Sequence, residues 1–254
     1  MTKKKILNII FVFLGLLFVL FFWEISSRIY NSNSVFPSFI ESLMNLVNLL
    51  KDINLYKSLL FTIGLGLLGV LISIIFGIIF GILAYYFELF RAFFSPINKI
   101  FRVIPTIIIS ILLIIFIKNI YAYLIISFLV LFPLIYEATL KGFLEIDQNI
   151  INSLRLEETK GFSSLFKVLF PLASPYILLS VIQSIGLGLK IEIMAEILMG
   201  DNKNIGIGHL INNAYNHTFN YIDIYSYALL IVVVYLLIDL VLHILKEKFI
   251  KIDK

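Results

Sequence analysis

The sequence predicts an all-α integral membrane protein with about six transmembrane helices. Of its 254 residues, 61% are hydrophobic and 14% are charged, whereas soluble domains have about 45–50% apolar and about 25% charged residues. Long apolar stretches alternate with short polar ones along the whole chain. Lysine and arginine concentrate in every second polar segment, as the positive-inside rule requires. These observations exclude an ordinary water-soluble fold.

Six stretches are predicted to cross the bilayer, which takes roughly 20 apolar residues in a helix. They are Ile6–Phe22, Ser58–Phe87, Val103–Ile117, Tyr121–Thr139, Leu172–Met199 and Ser226–Leu245. The first follows Lys3-Lys4-Lys5, so a cleavable signal peptide is the alternative to a retained anchor. Trp23 and Glu24 come next instead of a small-x-small cleavage site, which favours the anchor. The third stretch is short and turns into the fourth at Lys118-Asn119.

The placement of basic residues predicts the orientation. With the amino terminus in the cytoplasm, fourteen lysines and arginines fall on the cytoplasmic side, five fall outside and Lys190 lies within a span. We therefore expect a multi-pass protein of the cell (plasma or inner) membrane with both termini in the cytoplasm. This distribution also explains the pI of about 9.1 without a nucleic-acid partner.

Two segments outside the spans, 24–56 and 200–224, are predicted to form an external rim. In the first, Pro37-Ser38 opens an amphipathic run that predicts a helix, either at the outer interface or packed across the bundle. The second is polar and contains Gly206 and Gly208. No internal repeat is evident. We therefore divide the chain into an N-terminal helix with an external linker, 1–35, and one membrane domain, 36–252.

A polar stretch from Lys141 to Pro171 lies between two apolar blocks. It keeps Phe143, Ile146, Ile150 and Leu154 at helical spacing. An amphipathic helical loop of this size usually contacts a soluble partner. The alternative is a helix lying on the lipid headgroups, which would favour a mostly basic polar face.

Within this stretch, two helices are predicted. Asp147 is placed to cap the first by accepting a backbone N–H, and Gly161 suits its C-terminal turn. Ser163 would cap a second, short helix that closes at Phe170-Pro171 as the chain returns to the membrane.

Three charged residues lie in or near the fifth span: Lys190, Glu192 and Glu196. A charge at a span centre costs about 2.5–3.5 kcal/mol, so such residues normally face a cavity or a partner. We expect all three to line a translocation pathway. The alternative places Glu196 at the outer interface and pairs Lys190 with a neighbouring helix. A separate set of glycines is expected to let helices pack closely; it comprises Gly64, Gly66, Gly69, Gly77 and Gly81.

The sequence gives little support for a catalytic site or a metal site. The chain has no cysteine, which excludes disulfides, a thiol nucleophile and cysteine metal sites. The three histidines, His209, His217 and His243, are too scattered to predict a metal site. A membrane enzyme would need His, Asp or Glu clustered at one face. A secondary transporter would usually show more spans, often as repeats with broken helices. No cofactor is expected.

A family resemblance rests on short motifs in a fixed order. They are Phe36-Pro37-Ser38, Ser58-Leu59, Arg102-Val103-Ile104-Pro105-Thr106, Phe132-Pro133, Gly142 with Asp147, Lys167-Val168-Leu169-Phe170-Pro171, Ala195-Glu196 and Gly206-Ile207-Gly208. Over residues 36–252 the chain resembles the permease subunits of binding-protein-dependent ABC importers. The resemblance is to the branch that handles aliphatic sulfonates, taurine, nitrate or thiamine-precursor pyrimidines.

The family's cytoplasmic signature is degenerate here. Asn152-Ser153-Leu154 stands where the family has Glu-Ala-Ala, and Glu158 stands where it has glycine. Leu169-x-Pro171 keeps the apolar end, and Gly161 lies three residues after the usual glycine.

The resemblance implies a type I ABC importer permease fold with a cytoplasmic coupling helix. A separate ATPase would bind ATP, since no Gly-x-x-x-x-Gly-Lys loop is present, and would push this helix. In this interpretation Ile150 and Leu154 seat in a groove of the ATPase. The residues implied in ATPase coupling are Asp147, Asn152, Leu154, Arg155, Glu157, Glu158, Gly161 and Pro171.

The resemblance also implies three further partners: an external solute-binding protein, the lipid bilayer and a second permease copy. A homodimer, or half of a heterodimer, would match a two-fold ATPase pair. The solute would be small, such as a sulfonate, nitrate or a thiamine precursor. Lys190 suits an anion, although Glu192 is close in sequence. The alternative function is a six-span secondary transporter, or another membrane protein that works without an ATPase.

Overall fold

The computed structural model describes residues 3–30, 35–117, 119–156, 162–200 and 206–250. Every regular element in these ranges is a helix. In chain order the helices are α1 (Lys3–Tyr30), α2 (Phe39–Leu49), α3 (Ile53–Tyr86), α4 (Glu88–Val103), α5 (Thr106–Phe116), α6 (Ile120–Leu144), α7 (Gln148–Leu156), α8 (Phe162–Ser164), α9 (Phe170–Met199), α10 (Ile207–Asn216) and α11 (Tyr221–Ile250). A π-helical turn, Leu165–Leu169, joins α8 to α9.

Five helices are long and apolar enough to cross a bilayer: α1, α3, α6, α9 with the turn before it, and α11. Helices α4 and α5 pass the same test as a pair, but they meet at an angle of 95°. Counted as one span, the bent pair brings the number to six, as predicted. The predicted third span, Val103–Ile117, corresponds to α5, which begins three residues later at Thr106. Ile104 is extended, with φ −66° and ψ 124°, because the ring of Pro105 disfavours helical geometry in the preceding residue.

Small residues set the packing of α3 on α6. A Cβ added to Gly69, Gly77 or Gly81 would lie within 3 Å of an α6 side chain. The partners are Ser127, Ile135 and Thr139 in that order. Residue numbers therefore rise together along both helices, so α3 and α6 run in the same direction. The chain between them has to return across the membrane, and the bent pair is the segment that does so.

The glycine prediction holds at four of its five positions. Besides the three that face α6, Gly66 lies against α9, where an added Cβ would be 3.5 Å from the Leu189 side chain. Gly64 differs, because an added Cβ would have no neighbour within 4 Å among the described residues. Gly64 is exposed on the outside of α3, and close packing does not explain it.

A single helical path leads from the polar segment through the fifth predicted span. It starts at Phe162, passes the π-helical turn and continues as α9 to Met199. The prediction of a separate short helix that closes at Phe170-Pro171 is wrong. Pro171 has no N–H to donate, and the wider turn before it, in which the Phe170 N–H donates to the Leu165 carbonyl, keeps the path helical. The path ends at Gly200, whose φ of 54° lies in the left-handed region.

The two external segments form helices that pack on the bundle. Ser38 caps α2 through a capping box with Glu41, at the position that Pro37-Ser38 predicted. Of the two alternatives for α2, packing on the bundle is the one observed. Asn45 donates to Asp223 of α11 at 2.7 Å, and Ser226 of α11 donates to the Ser42 carbonyl at 2.9 Å.

The second external helix, α10, was not predicted. Its first residue, Ile207, is fully buried in a cluster that joins α2, α3, α10 and α11. The other buried members of this cluster are Leu46, Leu55, Ala214, Tyr227 and Leu230.

Candidate coupling and translocation site

Helix α7 is the amphipathic helix that the polar segment predicted. Asp147 caps it, since its carboxylate oxygen Oδ1 accepts the Asn149 N–H at 2.8 Å. This confirms the predicted cap. The predicted end of the helix near Gly161 lies outside the described residues, and the last described residue of α7 is Leu156.

The apolar stripe of α7 faces its own chain. Ile150 and Leu154 are half-buried against a cluster at the cytoplasmic base of α6 and α9. The buried members of that cluster, which we call the base cluster, are Phe143, Ile146, Leu165, Leu169, Ala173 and Ile177. Leu154 therefore packs α7 against the bundle at the base of α9.

The opposite face of α7 is exposed. Asn149, Asn152 and Ser153 are exposed there. Leu156 also lies on this face, with 85% of its surface exposed. Sequence reasoning missed Leu156, although its position off the stripe of Ile150 and Leu154 was the available signal.

The remaining coupling candidates are only partly visible. Glu157, Glu158 and Gly161 lie outside the described residues, as does the side chain of Arg155. Pro171 is exposed in the first turn of α9, close to the base cluster. Their predicted contacts with a partner stay predictions.

The three charged residues of α9 do not come together. Lys190 is exposed, whereas the side chains of Glu192 and Glu196 are fully buried. Lys190 lines a cavity of about 290 Å³ between α3, α9, α10 and α11, with Thr62, Tyr235 and Ile207 in its wall. It is the one charged residue among the described residues that line this cavity.

Glu192 lies at the junction of α3, α6 and α9. The Ser127 hydroxyl donates to its Oε2 atom at 3.3 Å. Its other oxygen, Oε1, has no hydrogen-bond partner in the described part of the chain. Gly66 provides the space beside it, since a Cβ there would be 3.8 Å from the Glu192 Cβ.

Glu196 lies one turn further along α9 and has two donors. The Gly208 N–H donates to its Oε2 at 2.8 Å. The Thr62 hydroxyl lies 2.8 and 2.9 Å from its two oxygens. The Thr62 oxygen in turn accepts the Ile207 N–H at 2.9 Å. Glu196 thus contacts α3 and the start of α10, a role that its sequence context did not predict.

Comparison with protein families places the chain. The family described as the inner membrane component of binding-protein-dependent transport systems matches residues 73–251, which is most of the sequence. The chain therefore belongs to this family of ABC importer permeases. Its members are transport subunits and not enzymes.

Solved structures agree with this assignment. Two crystal forms of the MetNI methionine ABC transporter, both inward-facing, have similar folds. One has a TM-score of 0.65 at 19% identity, covering 76% of this chain and 94% of that chain. The other has a TM-score of 0.64 at 21% identity, covering 75% and 94%. At these identities the likeness shows the fold alone, which is the type I ABC permease fold. A search of the curated proteins finds no match.

Proposed function

We propose that this chain forms the solute pathway of an ATP-driven importer and couples it to a separate ATP-binding cassette ATPase. An external solute-binding protein delivers the solute to the rim that α2 and α10 form. A second permease copy completes the pathway, in a homodimer or as half of a heterodimer. Both termini lie in the cytoplasm. Family membership supports this proposal, and so does the position of α7.

The main observation behind the proposal is the way α7 packs against the rest of the chain. This helix is capped by Asp147, packed on the base of α9 through Leu154, and exposed on its far side. A force on the exposed face therefore reaches α9 through the base cluster. We assign ATPase contact to this segment as a whole, with Leu156 added at its centre. The other members are Asp147, Asn152, Arg155, Glu157, Glu158, Gly161 and Pro171, with Leu154 holding the helix in place.

The proposed solute is a small anion, such as a sulfonate or nitrate. The nearby negative charge of Glu192 was an argument against an anion site at Lys190. In the structure the Glu192 carboxylate is buried, whereas Lys190 is exposed on a different face of α9. We include Lys190 in the translocation pathway. Thermal-shift measurements on the co-encoded binding protein test this. Stabilisation by sulfonates or nitrate supports the proposal, and stabilisation only by pyrimidines or amino acids contradicts it.

The coupling role is tested by Leu156→Asp. This change removes an apolar contact and places a charge in the ATPase interface, which should cost about 2 kcal/mol or more and weaken binding roughly thirtyfold. The measurement is the amount of ATPase that co-purifies with the permease from detergent. Leu89→Asp is the matched control, because Leu89 is also a cytoplasmic-side leucine and is 87% exposed.

Two outcomes decide the test. If Leu156→Asp loses the ATPase while Leu89→Asp keeps it, α7 is the coupling element. If Leu156→Asp retains a full complement of ATPase, the contact lies elsewhere. Leu154→Asp is less informative, because it also breaks the base cluster and lowers the yield of folded protein.

A further inference from the structure

The start of α10 is held by side chains of two spans. The N–H groups of Ile207 and Gly208 have no partner within a helix of their own, because they lie in its first turn. Here they donate to the Thr62 oxygen and the Glu196 carboxylate. A carboxylate at a helix N-terminus also interacts favourably with the helix dipole. Thr62 and Glu196 together act as the cap that α10 itself lacks, since its own Gly206 has no side chain.

The backbone of α10 approaches α9 as closely as it does because two of its residues are glycines. A Cβ added at Gly206 would overlap the carboxyl group of Glu196. A Cβ added at Gly208 would overlap the Ile193 carbonyl oxygen. One turn further on, the Asn212 side chain donates to the Ile197 carbonyl at 2.8 Å. The contact is therefore continuous over the first half of α10.

The two buried carboxylates of α9 differ in how they are satisfied. A buried carboxylate is costly unless donors surround it. Glu196 receives the Gly208 N–H and the Thr62 hydroxyl at 2.9 Å or less. Glu192 receives one longer bond of 3.3 Å from Ser127. The surroundings of Glu196 are built around its carboxylate, and Glu192 provides a matched comparison one turn away.

Glu196 joins α10 to α9 near the end of a long helical path. The helical path that contains α9 begins at Phe162 and ends at Met199, three residues beyond Glu196. Helix α7 packs against the base cluster near the start of this path. The cytoplasmic end of the path carries the coupling helix and its outer end carries α10. We propose that Glu196 and Thr62 are positioning residues that fix α10 to α9 and α3, so that the external helix follows α9 when its cytoplasmic end is displaced. The transport part of this inference rests on the proposed function.

Hydrogen exchange on the purified full-length chain in lipid nanodiscs tests the contact itself. Glu196→Ala leaves the Gly208 N–H without its partner, so exchange over residues 207–210 should become about tenfold faster. Glu196→Gln keeps an acceptor oxygen and should restore most of the protection. Glu192→Ala is the control and should leave α10 unchanged. Unchanged exchange in Glu196→Ala, or an equal effect of Glu192→Ala, overturns the proposal.

Variants of Thr62 test the same contact independently by hydrogen exchange. Thr62→Val keeps the shape but removes the hydroxyl, and it should accelerate exchange over the same residues. Thr62→Ser keeps the hydroxyl and should behave as wild type, which a loss of packing alone would not explain. If Thr62→Ser is as impaired as Thr62→Val, the hydroxyl is not the link.

The effect on coupling is measured in the assembled transporter. The concentration of solute-loaded binding protein that half-maximally stimulates ATP hydrolysis should rise about fivefold or more in Glu196→Ala, because a loosened α10 presents a less ordered docking surface. An unchanged half-maximal concentration overturns the link between α10 and transport. If no ATPase assembles with the wild-type chain, the proposed function fails instead, and the exchange experiment still decides the contact.

Discussion

Gly77 of α3 lies against Ile135 of α6, and a Cβ added at Gly77 would come within 2.8 Å of two Ile135 side-chain atoms. Its next neighbour would be the Tyr136 backbone nitrogen at 3.1 Å, which cannot rotate away. Without a hydrophobic drive between helices in lipid, such close backbone contact is a main source of helix association. Gly64 lies on the same helix and has no such neighbour among the described residues.

This difference predicts opposite effects of one chemical change. Gly77→Ala should destabilise the protein by about 1–3 kcal/mol through overpacking. Gly64→Ala should be neutral or stabilising, since alanine favours a helix by about 1 kcal/mol over glycine. The measurement is the temperature at which half of the detergent-solubilised protein stays monodisperse on size-exclusion chromatography. Equal values for the two variants would refute the packing role of Gly77.

At the scale of elements, the position and orientation of α7 depend on its N-terminal cap and on its apolar stripe. Asp147 is exposed, and its side chain accepts the Asn149 N–H. The stripe of Ile150 and Leu154 fixes which face of the helix is left open. The cap and the stripe together orient Leu156 outward.

Loss of the cap should loosen α7 without unfolding the spans. Asp147→Ala should destabilise the helix by about 1 kcal/mol, and amide exchange over residues 149–152 should become roughly fivefold faster. Asp147→Ser supplies another capping oxygen and should restore the wild-type rate. Identical exchange in wild type and Asp147→Ala would show that the cap is dispensable.

Local signals predicted the elements that depend on neighbouring residues. Pro37-Ser38 predicted the start of α2, Asp147 predicted the start of α7, and Lys118-Asn119 predicted the turn into α6, where Asn119 caps the helix. Elements that depend on distant partners were missed. Glu196 meets Thr62 across 134 positions in sequence, so neither its cap of α10 nor α10 itself is visible in the local pattern.

One proline signal was interpreted in the wrong sense. Pro171 indicated a helix end, but the π-helical turn before it lets the helix continue. Pro105, by contrast, lies at the break where α4 and α5 meet at 95°. A proline permits either outcome, and the packing around it decides which one occurs. Leu154 likewise faces inward because the base cluster accepts it.

At the scale of the whole molecule, α7 and α10 lie at opposite ends of one helical path through the bilayer. The parallel course of α3 and α6 and the opposite course of α9 place the two helices on different sides of the membrane. The excess of basic residues near α7 is the basis for our proposal that this helix lies in the cytoplasm.

Cysteine labelling tests this orientation, and the absence of cysteines from the sequence gives a clean background. Asn152→Cys on α7 should react with a membrane-impermeant maleimide only from the cytoplasmic side. Asn213→Cys on α10 should react only from outside. Both side chains are exposed, so reactivity reports side and not burial. Labelling of Asn152→Cys in intact cells would reverse the proposed topology.

The central claim is that transport through this chain is driven by a partner's ATP hydrolysis. Proteoliposomes that contain the permease, its ATPase and external solute-binding protein should accumulate the binding protein's ligand when ATP is enclosed. Accumulation of the ligand should stop when ATP is replaced by a non-hydrolysable analogue. A proton or sodium gradient should not substitute for ATP. Accumulation driven by an ion gradient in liposomes that contain the permease alone would contradict the claim and identify a secondary transporter.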